Sequence, residues 1–134
     1  MINSYSKINL FLKVFKKNSS GLHNIQSSVM LLSLHDKIQI KNINGKKDKI
    51  IFTGKFKKNI KYKNNSITKS LNILRRHNLI NKSNKYKIVV DKKIPVFAGL
   101  GGGTSNAVFL IKYLLKDKIN EKLLKIFEKD IGSD

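Results

Sequence analysis

The stretch from Pro95 to Ala107, PVFAGLGGGTSNA, limits what this chain can fold into more than any other segment. Before it, Lys85 to Asp91 alternates like a strand. After it, Ala107, Val108, Ile111, Leu114 and Leu115 form an apolar stripe at helical spacing. Pro95 cannot donate to a sheet ladder, so regular pairing stops just before the glycines. Strand, then Gly99-Leu100-Gly101-Gly102-Gly103, then Thr104-Ser105, then helix is the order in which backbone N–H groups converge on an anion. Glycines accept positive φ and carry no Cβ to hold phosphate oxygens away. The helix adds its unpaired N-terminal amides and the positive end of its dipole.

Two better-known glycine motifs fail on the residues. A Walker A loop needs Gly-Lys-Ser/Thr, and here Thr104 follows the glycines with no lysine before it. A dinucleotide fingerprint needs glycine where Thr104 stands and a second strand after the helix, where this chain reads as another helix. A packing loop with no ligand is the remaining alternative from the residues alone. A simple linker is disfavoured, because both neighbours are ordered by pattern.

The rest of the chain reads as one α+β domain. Ile8, Leu10, Leu12 and Val14 alternate with Lys7, Asn9, Phe11 and Lys13, so a half-buried strand is expected with Lys7 and Asn9 on one face. Val29 to Leu34 and Lys37 to Lys41 read as two further strands. Asn44-Gly45 is a turn dipeptide, which predicts a hairpin between Lys37–Ile43 and Lys49–Thr53. From Ser66, taken as N-cap, Ile67, Leu71 and Leu74 share a helical face that ends near His77-Asn78. Leu123, Leu124, Phe127 and Ile131 predict a last helix behind an Asn120 cap, and the Lys55 to Asn65 stretch reads as a surface loop.

Charge is the loudest feature, with 28 Lys+Arg against 8 Asp+Glu and a formal net charge of +20. It is consistent with phosphate-backbone binding. However, Arg75 and Arg76 are the only arginines, and the lysine pairs are scattered through an Asn- and Ile-rich chain. That is the mark of an AT-rich coding sequence, and it argues against a nucleic-acid partner. With 134 residues, no cysteine and three separated histidines, the chain offers neither a disulfide framework nor zinc-ligand spacing. No signal pattern and no long apolar run is present, so a cytoplasmic protein without a membrane partner is expected.

The glycine segment is similar to the second motif of the GHMP small-molecule kinases, Pro-x3-Gly-Leu-Gly-Gly/Ser-Ser-x-Ala. It is matched by Pro95, Gly99, Leu100, Gly101, Gly102, Gly103, Thr104, Ser105 and Ala107. Lys7-Ile8-Asn9-Leu10 resembles that family's first motif. KINLFLKV, Gly21-x-His23, Asn65, VDKKIP and the closing Ile131-Gly132-Ser133-Asp134 follow, in order, the branch whose small-molecule substrate is a cytidyl diphosphate methylerythritol.

The resemblance implies a ribosomal protein S5 domain 2-like fold, with a mixed or antiparallel sheet carrying helices on one face. It implies ATP-dependent phosphorylation of an alcohol, with ATP and Mg²⁺ bound. Lys7 and Asp134 become the catalytic pair, the carboxylate as proton acceptor and the lysine beside it. Pro95, Val96, Phe97, Ala98, Gly99, Leu100, Gly101, Gly102, Gly103, Thr104 and Ser105 become the ATP cradle, with Asn65 and Lys92 near the adenine. Asn9 and His23 line the substrate pocket, and Thr104 and Ser105 are the candidate Mg²⁺ ligands. Leu22 stands where the family usually stacks a tyrosine, and Phe97 where glycine is frequent. Family members are longer and carry a C-terminal domain that closes the cleft, so residues 1–134 are read as the N-terminal ATP-binding domain. Another kinase of the family, acting on mevalonate, homoserine or a sugar, and a basic S5-like RNA-binding domain are the alternatives.

Overall fold

The computed structural model describes residues 1–19, 21, 23–61 and 64–131. Leu22 and Asp134 lie outside the described residues. Four strands, β1 (Ile2–Lys17), β2 (His23–Ile43), β3 (Lys49–Thr53) and β4 (Lys85–Asp91), form one sheet in the order β1-β2-β4-β3. Among the described residues, three α-helices accompany it: α1 (Ser66–Arg76), α2 (Gly102–Leu114) and α3 (Glu121–Ile131). Among the described residues, no helix is long and apolar enough to cross a membrane.

β1 pairs antiparallel with β2, and β2 antiparallel with β4, while β3 lies parallel to β4 with Ile50 opposite Ile88 and Phe52 opposite Val90. The hairpin expected between Lys37–Ile43 and Lys49–Thr53 is therefore absent. β4 stands between those strands, because β3, α1 and β4 form a crossover unit, and parallel neighbours need a connection long enough to hold a helix. The two strands expected at Val29–Leu34 and Lys37–Lys41 are one continuous strand, β2.

The core explains why β4 is central. Tyr86, Ile88 and Val90 alternate toward the helices and are buried together with Ile38, Phe52, Ile67, Leu71 and Leu110. A second layer joins Ile73, Leu74, Ile111 and Phe127 from α1, α2 and α3. All three helices thus lie on one face of a mixed sheet. Each fully buried aliphatic chain contributes about 1.5–3 kcal/mol.

The cap of α1 is Asn65 rather than Ser66, with Asn65 Oδ1 accepting from the Thr68 amide at 2.9 Å. The helix stops as expected at His77, and Asn78 turns to φ +54°. α3 is capped as predicted, the Leu123 amide donating to Asn120 Oδ1 at 3.0 Å.

An ion pair ties α1 to the sheet edge. Arg75 donates Nη1–H to Asp48 Oδ2 at 2.6 Å and Nη2–H to Oδ1 at 2.9 Å, and the Tyr86 amide reaches the same Oδ1 at 2.9 Å. Burial pushes the Asp48 carboxyl up, but the Arg75 hydrogen bond, the Tyr86 amide and the charges of Arg75 and Lys85 together outweigh it. They hold Asp48 below its ordinary value of 3.8.

The outer halves of β1 and β2 extend beyond the helices as a two-stranded arm. Leu10, Leu12 and Val14, expected to be half-buried, are 61%, 53% and 56% exposed, and Phe11, Ile25 and Leu31 are exposed as well. The period of two correctly gave a strand, but nothing among the described residues covers its apolar side.

Candidate functional site

β4 ends at Asp91, and the chain runs through residues 92–101 into α2 over the carboxyl end of the strand. Every residue from Pro95 to Thr104 lines one cleft of about 600 Å³. Its opposite wall carries Ile60, Lys61 and Asn65, and its floor carries Phe52, Lys92 and Asn106. This size falls within the range of small-ligand pockets.

The glycines differ in what they do. Gly101 caps α2 in the left-handed region at φ +67°, and a Cβ there would lie 3.1 Å from both Cγ and Cε of Lys7. A Cβ on Gly102 would lie 2.8 Å from Ile94 Cγ2, so this glycine lets the helix seat on the sheet. A Cβ on Gly103 would meet no protein atom within 4 Å. Gly103 is therefore the bare position of the cradle, at the start of a 13-residue helix whose first amides are free to meet an anion.

Phe97 also adopts a left-handed conformation, φ +64°, which costs a bulky residue about 1–2 kcal/mol. Its side chain is 93% exposed, so it does not plug the cradle.

The two hydroxyls after the glycines have separate surroundings. Thr104 lines the cleft. Ser105 donates to the Tyr5 carbonyl at 2.6 Å and accepts from Ser4 Oγ at 3.1 Å, so it ties α2 to β1.

β1 reaches the loop through Lys7, whose amide donates to the Leu100 carbonyl at 3.0 Å. Lys7 Nζ donates to Asn9 Oδ1 at 2.6 Å, and Asn9 Nδ2 donates to Ser27 Oγ at 2.7 Å. The shared face expected for Lys7 and Asn9 is thus observed. His23 is not brought to this group. It pairs with Lys17 at the far end of the arm and donates Nδ1–H to the Phe15 carbonyl at 2.8 Å. Ten residues of strand separate Lys17 from Lys7, roughly 30 Å at about 3.3 Å per residue.

Lys92 is 4% exposed and its ammonium is ion-paired with Asp36, which is completely buried. Asp36 Oδ1 also accepts from the Lys93 and Ile94 amides at 2.7 and 2.8 Å, and Oδ2 accepts from Asn106 Nδ2 at 2.9 Å. One carboxylate therefore gathers β2, the exit of β4 and α2 under the cleft. Neither Asp36 nor Asn106 was expected from the sequence. The signal for Asp36 was its register: it lies two residues before Ile38 and four before Ile40, which puts an acid on the apolar face of the strand.

Residues 65–129 match the family described as GHMP kinases N terminal domain. The chain is 46% identical to the 4-diphosphocytidyl-2-C-methyl-D-erythritol kinase of Pelagibacter ubique, over 99% of its own length and 47% of that protein's. Over the segment that forms the glycine cleft, the chain is similar to the N-terminal domain of the GHMP kinases.

A relative bearing the same name, from Thermosipho melanesiensis, is 39% identical over 100% of this chain and 46% of its own length. The chain thus spans about half the length of the curated relatives it matches. A crystal structure of a 4-(cytidine 5'-diphospho)-2C-methyl-D-erythritol kinase superposes with a TM-score of 0.65 at 21% identity, covering 96% of this chain and 44% of that one. A homoserine kinase from Cytophaga hutchinsonii gives a TM-score of 0.58 at 21% identity over 76% of this chain. Both share the mixed-sheet fold of this chain, and the fold by itself does not separate their substrates.

Proposed function

We propose that this chain is the ATP-binding part of a kinase that phosphorylates the 2-hydroxyl of 4-diphosphocytidyl-2-C-methyl-D-erythritol, a step toward isoprenoid precursors. The observation that carries this reading is the junction of the two GHMP motifs. Lys7 is hydrogen-bonded through its backbone to Leu100, and its side chain lies against Gly101 at the mouth of the cradle. The names and identities of the relatives from Pelagibacter and Thermosipho support the choice of acceptor.

In this reading the triphosphate lies along Gly101, Gly102 and Gly103, held by the first amides of α2 and by the Thr104 hydroxyl. The acceptor oxygen attacks the γ-phosphorus as the bond to the β-bridging oxygen breaks, and the hydroxyl proton passes to the Asp134 carboxylate. The Lys7 ammonium meets the negative charge on the transferring group. Asn65 and Lys92 bound the nucleotide end of the cleft, and Asn9 the acceptor side. A cytosine contact by His23 requires the tip of the arm to fold back over the cleft.

Mg²⁺ fits this donor set as a companion of the phosphates. Among the described residues no group of three His, Cys, Asp or Glu gathers, while Thr104, a hydroxyl-bearing residue, lines the cleft. Mg²⁺ is commonly held by substrate phosphates and few protein ligands, and it would supply neutralisation of phosphate charge here. We assign Ser105 to the joint with β1 instead. The remaining half found in the longer relatives is proposed to cover the apolar arm and close the cleft.

The test is transfer of labelled γ-phosphate by the intact protein to 4-diphosphocytidyl-2-C-methyl-D-erythritol, mevalonate and homoserine in parallel. Transfer to the cytidyl compound alone is expected. Preference for either of the others would overturn the substrate assignment.

A further inference from the structure

Three polar side chains on one face of the β1–β2 arm form a hydrogen-bond chain that ends on Lys7. Lys7 Nζ donates to Asn9 Oδ1 at 2.6 Å, Asn9 Nδ2 donates to Ser27 Oγ at 2.7 Å, and Ser27 Oγ donates to the Phe11 carbonyl at 2.8 Å. Each direction is forced by its neighbour. An ammonium can only donate, so Asn9 must turn its oxygen to Lys7 and its amide nitrogen to Ser27. Ser27 accepts that bond because its own hydrogen is committed to the Phe11 carbonyl. Turning the Asn9 amide over would set donor against donor at Lys7.

The residues directly opposite Lys7 and Asn9 are Leu31 and Val29, which carry no side-chain donor or acceptor. Ser27 is diagonal to Asn9, two residues from Val29 along β2 and on the same face. The register shifts between Asn9 and Phe11, as at a β-bulge, and the carbonyl that Ser27 holds is at this irregularity. Asn9 and Ser27 are both exposed, so their bonds do little for the fold. They do more for the cleft. The Lys7 stem lies against Gly101, where a Cβ would stand 3.1 Å from its Cγ and Cε, and the Lys7 amide is tied to Leu100. A lysine held at its stem still swings its ammonium on a flexible chain, and Asn9 stops the swing.

We infer that Ser27 is a positioning residue for phosphoryl transfer: it orients the Asn9 amide, which in turn holds the Lys7 ammonium beside Gly101 at the mouth of the glycine cradle. Ser27 acts through Asn9 and Lys7 rather than on the reacting groups. The inference rests on the proposal that Lys7 meets the charge of the transferring group, and it adds what keeps that ammonium in place. An ammonium fixed in advance needs no reorganisation as charge develops, so the effect falls on the chemical step rather than on binding.

The test compares Ser27→Ala and Ser27→Thr, each alone and combined with Lys7→Met. The readouts are steady-state transfer of labelled γ-phosphate by the intact protein to its preferred acceptor, and melting temperature. Ser27→Ala is expected to lower kcat about 10-fold, a part of the roughly 10²–10³-fold carried by Lys7 itself, with the KM for ATP and the melting temperature almost unchanged. Ser27→Thr keeps the hydroxyl and should recover most of that rate. In the Lys7→Met background, Ser27→Ala should cost nothing further, because the group it positions is gone. An unchanged kcat in Ser27→Ala, a Ser27→Thr protein as slow as Ser27→Ala, or the same loss of rate with Lys7 already removed would overturn the inference and leave the kinase reading standing. A melting temperature that falls in step with the rate would also overturn it, by making Ser27 structural. Full activity in Lys7→Met, or no transfer by the unaltered protein to any acceptor, would overturn the role of Lys7 and the inference with it.

Discussion

Substituting Gly103 by alanine separates the fold of the glycine loop from its function. The position is helical, the second residue of α2, and an added Cβ meets no protein atom within 4 Å. Alanine exceeds glycine in helix propensity by about 0.5–1 kcal/mol, so the folded state should gain up to that amount. For a domain of this size, each kcal/mol moves the melting temperature by about 4 °C, and a rise of roughly 2–4 °C is expected. The methyl group projects from a residue that lines the cleft, where phosphate oxygens would approach the α2 amides. Displacing one charge-assisted hydrogen bond costs about 1.5–3 kcal/mol, or about a 10- to 100-fold rise in the Kd for ATP. Scanning calorimetry and ATP titration on the intact protein measure both quantities. The neighbours serve as controls. Gly102→Ala presses Cβ to 2.8 Å from Ile94 Cγ2 and should lower stability and affinity together, and Gly101→Ala should do the same through its φ of +67°. If Gly103→Ala melts several degrees lower, or binds ATP with unchanged affinity, the cradle has been placed on the wrong residues.

Three further outcomes are expected. Lys7→Met should lower turnover about 10²–10³-fold in the phosphate-transfer assay, the size of one lost transition-state donor, with little change in melting temperature because, among the described residues, its ammonium bonds to the exposed Asn9 side chain. Asn65→Ala should cost about 1 kcal/mol in chemical denaturation by removing the cap of α1, and Asn65→Ser should restore stability while the weakened ATP affinity persists. Asp48→Asn should cost about 2 kcal/mol at neutral pH by weakening the hydrogen bonds to Arg75 and Tyr86. Because folding lowers the Asp48 pKa, that stabilisation is present above its unfolded value near 3.8 and is lost as pH falls through the lower folded value. Denaturation curves of the two proteins should therefore converge in that acid window.

Local structure was legible in the sequence wherever one residue type had one use. Lys85–Asp91 has the alternation of a strand and is β4 to the residue, and Asn120 was recognised as a cap because a helical stripe follows it. Partnership between strands was not legible. A period of two says which side chains share a face, and it is silent on whether Lys49–Thr53 pairs with the strand before it or the one after α1. Nor does it report whether an apolar face is covered, which is why Leu10, Leu12 and Val14 were misjudged. At the cleft, the glycine loop was legible because a run of bare backbone between a strand and a helix has few uses, whereas Lys7 was singled out by its likeness to a family motif. Asp36 and Asn106 were not, since a carboxylate that bonds inward and one that faces water are the same letter. Asn65 was read as a ligand residue, and the structure shows it as the N-cap of α1.

The glycine loop thus meets two sets of demands at neighbouring atoms. Ser105 bonds to Tyr5, Gly102 admits Ile94, and Asp36 grips the Lys93 and Ile94 amides, so both ends of the loop are fixed to the sheet without help from a ligand. Between these anchors, Gly103 and Thr104 are left to the cleft. A loop held in this way loses little conformational entropy when an anion arrives, which is what preorganised binding requires. An anchor mutation such as Ser105→Ala should therefore weaken ATP binding mainly by loosening the cradle. The loss should appear as a less favourable binding entropy in calorimetry, whereas Gly103→Ala, which crowds the contact itself, should register in the enthalpy.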